Sequence, residues 1–309
     1  MLTRAELIGP WAGLPVAWKE DFSFDEDAYR ANVERTCKAG VPGIYTGGTT
    51  GEFYAMEFDE FQAVTKATVE ECKRCGIPVM IGITATYTLG AQRRAGYAAK
   101  LGADAVQLAM PFWMEIDDRE IVQFVLDIAS TCPKLALCMY ETTRSKKTLT
   151  VEQHQAIQKA VPAYQAVKSN ANTVGRTPEG CAALSEFINV WVGEDALAKL
   201  GPYGAIGSAS ALVYMNPRII LHMFELLLQK KWDELKVWTD RVKFHLEVGL
   251  APFEAKGFTD TAYDHLQGLV AGFLKMHPCS RGPYISATEE DVKILRKWLK
   301  ENIPEFLDL

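Results

Sequence analysis

Three polar features of the chain each follow a short apolar run: the Gly47-Gly48-Thr49-Thr50-Gly51 turn, Tyr140 closing Leu135 to Tyr140, and Lys168 closing Ala163 to Lys168. Glycines around two threonines let the backbone approach a ligand closely while hydroxyls and N–H groups point at it, which suits a carboxylate or a phosphate. The turn is neither a Gly-Lys-Ser/Thr phosphate loop nor a GxGxxG dinucleotide turn. An amine held where solvation is poor has its pKa lowered toward neutrality and can attack a ketone. A tyrosine beside it can carry protons. Each feature alone also fits a plainer reading: an ordinary turn, a solvated lysine beside an apolar stretch, a half-buried packing tyrosine. Together at one mouth they carry more than any does singly.

The elements that would bring them together repeat along the chain. An amphipathic helix ends at Gly or Gly-Pro, and a short apolar strand with polar residues at its far end follows. Strands are predicted at Leu14–Trp18, Gly43–Thr46, Val79–Ile83, Ala105–Met110, Leu135–Tyr140, Ala163–Lys168, Ile188–Val192 and Gly204–Ile206. Ser23 to Glu26 reads as a capping box opening the first helix. Eight strands alternating with helices over about 230 residues predict a (β/α)8 TIM barrel, whose chemistry sits at the carboxyl ends of the strands. Residues 1–231 form that barrel and 232–309 a C-terminal three-helix extension, with helices near 232–248, 259–275 and 288–302. Thr288 and Asp291 cap the last of these.

Composition narrows the partners. A net charge of -6 without a basic stripe argues against nucleic acid or an anionic membrane surface. No apolar run is long enough to span a bilayer and no signal-peptide pattern opens the chain, so a cytoplasmic protein is expected. Seven cysteines suit reduced thiols, and the Cys72/Cys75 pair lies inside a helical pattern without a second pair. The five histidines show no paired ligand spacing, so a metal-dependent site is disfavoured.

The chain resembles the dihydrodipicolinate synthase and N-acetylneuraminate lyase family of class I aldolases over nearly its whole length. The resemblance rests on Gly48-Thr49-Thr50-Gly51-Glu52, on Tyr140 and Lys168, on Gly204 to Ser208, and on Arg281-Gly282-Pro283-Tyr284, in matching order and spacing. It implies that Lys168 forms an imine with the ketone carbon of pyruvate and that Tyr140, with Thr50, moves protons. Gly48, Thr49 and Thr50 would hold the pyruvate carboxylate, with a backbone carbonyl from Ile206 nearby. No cofactor or metal is implied. Pyruvate with an aldehyde, or a 2-keto acid, is the implied substrate, and a homotetramer the implied assembly.

Two departures bear on the substrate. Synthases follow the tyrosine of the fifth strand with Asn-x-Pro and an arginine for the acceptor's carboxylate; here Glu141-Thr142-Thr143-Arg144 follows, with Arg144 one position early. They also carry a relay tyrosine after the fourth strand, where this chain has Pro111-Phe112-Trp113-Met114. Trp113 is therefore expected to wall the acceptor site and Arg144 to bind substrate. A true synthase, a 2-keto-3-deoxy sugar acid aldolase and a hydratase-aldolase for aromatic adducts of pyruvate remain alternatives, as does a non-catalytic barrel that binds a keto acid.

Overall fold

The computed structural model describes all 309 residues. Eight parallel strands close into a barrel in sequence order: β1 (Gly9–Gly13), β2 (Ile44–Thr46), β3 (Val79–Gly82), β4 (Ala105–Leu108), β5 (Ala136–Glu141), β6 (Tyr164–Ser169), β7 (Asn189–Trp191) and β8 (Ala205–Ser210). The intervening helices are α1 (Glu26–Lys38), α2 (Phe58–Cys75), α3 (Thr88–Leu101), α4 (Ile121–Ala129), α5 (Val151–Ala160), α6 (Pro178–Ser185), α7 (Leu197–Leu200) and α8 (Pro217–Leu228). The (β/α)8 architecture expected from the sequence is the one found.

Side-chain alternation divides the apolar residues into two cores. Trp11, Tyr45, Met80, Ala105, Ala136, Cys138, Ala166 and Trp191 come from seven strands and fill the barrel, joined from below by Leu2 and Leu7. A much larger cluster lies between the strands and the helical shell. Position 168 is two residues beyond Ala166 and position 140 two beyond Cys138, so both side chains extend the inward face toward the mouth. A bulge helps to fix this register. Leu137 pairs with Tyr164 but Cys138 pairs with Ala166, leaving Gln165 as the extra residue, so Tyr164 turns to the outer core while Tyr140 pairs with Lys168.

Three local expectations need correction. The first strand is Gly9–Gly13, not Leu14–Trp18. The latter segment is apolar because it is a covered loop: Asp25 N–H bonds to the Ala17 carbonyl, and Cys279 Sγ lies 3.6 Å from the Trp18 carbonyl. The cap of α1 is Asp25, which accepts from Ala28 N–H at 3.2 Å, whereas Ser23 Oγ donates to Asp21. Beyond residue 231 the helices are four: α9 (Trp232–Phe244), which runs into a wider turn at His245–Gly249, the short α10 (Ala251–Glu254), α11 (Asp260–Val270) and α12 (Glu289–Asn302). The Thr288/Asp291 capping box of α12 is present. Leu235, Phe253, Leu266, Leu295 and Leu299 of this extension belong to the same apolar cluster as the barrel shell. No helix is long and apolar enough to cross a membrane.

Candidate active site

The loop after β2 folds over the barrel mouth because two glycines permit contacts that no side chain would survive. A Cβ on Gly82, the last residue of β3, would sit 1.9 Å from the Gly47 carbonyl oxygen, and one on Gly48 would sit 1.6 Å from the Tyr45 hydroxyl. The loop is then anchored by Glu52. This residue adopts a left-handed conformation (φ 51°) and is fully buried. Its carboxylate accepts from Trp18 Nε1 at 2.8 Å and Arg281 N–H at 2.7 Å, and His265 Nε2 stands 3.3 Å away. One side chain thus ties the Thr49-Thr50 turn to the segment after β1 and to the C-terminal extension.

At the mouth, Lys168 Nζ lies over the Tyr140 ring, 4.3 Å from its centroid. The Tyr140 oxygen accepts a 2.9 Å hydrogen bond from Asn170 Nδ2. Above them opens a cavity of about 490 Å³, within the range of small-molecule sites. Thr49, Thr84, Thr142, Ser145 and Arg144 supply most of its polar lining, and six rings line it too: Phe53, Tyr54, Phe112, Tyr140, Phe258 and Tyr284. Four of the rings form an edge-to-face chain, Phe112 to Phe53 at 6.0 Å, Phe53 to Tyr54 at 5.6 Å and Tyr54 to Tyr284 at 5.1 Å. Arg144 is paired with Asp260 of α11 at 3.0 Å, and both line the cavity.

The residues singled out from the sequence are distributed unevenly around this site. Tyr140, Thr49 and Arg144 line the cavity; Lys168 does not itself line it, and its amine rests on the ring of Tyr140, which does. Thr50 turns away from the cavity, its hydroxyl facing the end of β1 and Asp264. Gly48 packs over Tyr45. Ile206 is the extra residue of a bulge between β7 and β8, and its side chain packs against the outer core. Trp113 is 74% exposed and does not line the cavity; the ring that does is its neighbour Phe112. Within one chain, therefore, the apolar wall expected of Trp113 is supplied by Phe112. Lys146 holds the exposed loop, donating to the Trp113 carbonyl at 3.0 Å. Glu141 also points elsewhere, because it follows Tyr140 on the strand and so faces outward. It is buried, with Oε1 accepting from Leu149 N–H at 2.7 Å and Oε2 lying 3.2 Å from His154 Nε2.

Asn170, Phe112 and the residues of α11 were not singled out by type and spacing. Only the alternation two positions beyond Lys168 could have drawn attention to Asn170. Asp264, one helical turn beyond Asp260, is buried against Tyr214 and Thr50. Burial pushes its carboxyl up to about 6, while the Tyr214 and Thr50 hydroxyls pull the other way. An unfolded aspartate titrates near 3.9, so the fold holds the proton more tightly and stability falls as pH rises from about 4 through about 6. Ionised Asp264 then costs roughly 3 kcal/mol. Asp264→Asn is expected to raise the melting temperature at pH 8 and leave it nearly unchanged at pH 4; equal shifts at the two pH values in differential scanning calorimetry would refute this.

Comparison with known proteins agrees with the geometry. A profile described as the Dihydrodipicolinate synthetase family matches residues 9–301. A 4-hydroxy-tetrahydrodipicolinate synthase of Rhizobium meliloti (strain 1021) is 29% identical over 233 residues, covering 74% of this chain and 79% of that protein. A trans-O-hydroxybenzylidenepyruvate hydratase-aldolase of Pseudomonas putida is 29% identical over 153 residues, 47% of this chain and 46% of that protein. The solved structure of PhdJ bound to a substrate intermediate superposes with a TM-score of 0.84 at 24% identity, covering 99% of this chain and 98% of that one, a likeness of fold. With the profile spanning nearly every residue of the barrel and its extension, the chain belongs to the dihydrodipicolinate synthetase family and is a lyase of the pyruvate-dependent Schiff-base class.

Proposed function

We propose that this enzyme cleaves, or in reverse forms, the C–C bond between a pyruvate unit and an aromatic aldehyde, with Lys168 as the imine-forming amine. Lys168 condenses with the ketone carbon and water departs. Removal of the proton on the hydroxyl at C4 then breaks the C3–C4 bond, the aldehyde leaves, and the electron pair is held as an enamine conjugated to the nitrogen. Protonation at C3 and hydrolysis release pyruvate and restore the amine. Tyr140 moves the protons in these steps. Thr49, on the same cavity wall, receives the carboxylate end, with Thr50 supporting the turn from behind.

The observation that carries the aromatic acceptor is the six-ring lining of the cavity, four of them in edge-to-face contact. The only cation lining the cavity, Arg144, is already paired with Asp260, so an acidic acceptor would have to compete for it. The relative from Pseudomonas putida is named for an aromatic adduct of this type. In this reading the extension after residue 231 completes the barrel site, since Phe258, Asp260 and Tyr284 come from it.

Pyruvate release from a panel of 2-keto acids tests the reading. Aryl adducts should turn over fastest, and Phe112→Ala should raise their KM about tenfold, the loss of roughly 1.5 kcal/mol of apolar contact. Faster cleavage of polyhydroxylated 2-keto-3-deoxy acids would reject it. Condensation of pyruvate with aspartate semialdehyde at a kcat/KM of about 10⁴ M⁻¹s⁻¹ or above would restore the synthase alternative.

For the assembly we propose a homotetramer in the cytoplasm. Tyr87 on the loop after β3, Leu89 in the first turn of α3, and Trp113 and Met114 on the loop after β4 are all exposed. Apolar side chains of this size crowded on one rim suit burial against a second copy. Light scattering showing an active monomer at micromolar concentration would exclude it.

A further inference from the structure

We propose that Asn170 is the positioning residue of Tyr140, holding its phenol oxygen as an acceptor so that the hydroxyl proton faces the reacting groups. This rests on the roles just assigned to Tyr140 and Lys168. The side-chain amide Nδ2 can only donate, so at 2.9 Å the Tyr140 oxygen must be the acceptor. The single phenol proton is thereby directed away from Asn170. It is available to the hydroxyl that leaves as water when the imine forms, and it is recovered from the C4 hydroxyl when the C–C bond breaks.

The backbone around Asn170 is built to hold it there. Its N–H extends the β5–β6 ladder by bonding to the Glu141 carbonyl at 3.2 Å. Its own carbonyl accepts from Thr173 Oγ1 at 2.7 Å, closing a turn in which Asn172 is left-handed (φ 64°). Asn170 lies two residues beyond Lys168, so one strand end aims both the amine and the amide at the same ring.

The consequence is electrostatic as well as geometric. An N–H donor aimed at the phenol oxygen is placed to stabilise the negative charge that develops there while the proton is in transfer. The other groups around the ring are Lys168 from β6, Tyr45 from β2, Arg144 on the following loop with its partner Asp260, and Tyr54 and Tyr284 across the cavity. Asn170 alone among the neighbours bonds to the phenol oxygen, and it has no proton to relay. Protons therefore leave Tyr140 through substrate or water.

The experiment compares kcat and its pH profile for wild type, Asn170→Ala, Asn170→Asp and Tyr140→Phe, with the Tyr140→Phe/Asn170→Ala double variant. Asn170→Ala should lower kcat about tenfold, change KM less than about threefold and move the alkaline limb of kcat up by about one pH unit. Asn170→Asp keeps the shape but turns the donor into an anionic acceptor, so its limb should move further and its kcat fall more. In the Tyr140→Phe background, Asn170→Ala should have less than a twofold effect. An alkaline limb that stays in place in both single variants, or an Asn170→Ala loss that multiplies fully onto Tyr140→Phe, overturns the proposal. Trapping pyruvate on Lys168 with borohydride in wild type checks the underlying reading separately, so a missing adduct and an unmoved limb are different failures.

Discussion

Lys168→Ala is expected to lower pyruvate-releasing turnover by more than about 10⁴-fold, because removing a covalent nucleophile removes the pathway and leaves only binding to assist the reaction. The fold should survive. Lys168 sits at the open end of the barrel above Ala166, its amine rests on the Tyr140 face, and it forms no salt bridge whose loss would strand a buried charge. A melting temperature close to wild type is therefore expected alongside the lost turnover. In the wild type, pyruvate with borohydride should inactivate the enzyme, since hydride reduces the imine carbon and leaves a stable secondary amine on Lys168. Peptide mapping decides the matter. An inactivated enzyme with unmodified Lys168, or a modified Lys146 in its place, would remove Lys168 from the mechanism.

Tyr140→Phe is the second large effect: a fall in kcat of roughly 100-fold or more, within the range of a lost general acid–base group. Phenylalanine keeps the ring beneath the lysine and its packing in the mouth. Only the hydroxyl goes, and with it the acceptor for the Asn170 amide. That unpaired donor costs about 1 kcal/mol in stability at most if water reaches it, so the melting temperature should move little. The imine should still form, slowly, and remain trappable on Lys168. A kcat within threefold of wild type would leave Tyr140 as a packing residue and would take the role assigned to Asn170 with it.

The periodicity of the chain was enough for the barrel. Alternation of two-residue and 3.6-residue patterns recurs along the chain, and most repeats carry their own stops, such as the left-handed Gly76 and Gly102 that end α2 and α3. That Lys168 and Tyr140 stand side by side at the mouth was legible for the same reason: each closes an apolar run, and strand ends in a barrel gather at one mouth. The first strand escaped because Gly9-Pro10-Trp11-Ala12-Gly13 has the composition of a turn, while the loop after it is apolar from being covered by the extension. The sign of burial was readable there, but the element it belonged to was not.

What lines the cavity was settled by tertiary structure alone. Neighbouring residues on a loop face opposite ways, and the sequence does not say which of Phe112 and Trp113 turns inward. Glu141 looked like part of the acceptor site because it follows Tyr140, yet strand alternation sends it out to His154. Asp260 and Asp264 reach the site across more than a hundred residues of chain from Tyr140, and no local pattern marks them; Tyr284 stands in a motif that carries the family resemblance, yet its spacing does not place it on the cavity wall. Local spacing determines which way a strand residue points and where a helix stops. The partners that meet over the barrel mouth depend on how the extension docks, and that is fixed by the shared apolar core of residues far apart in sequence.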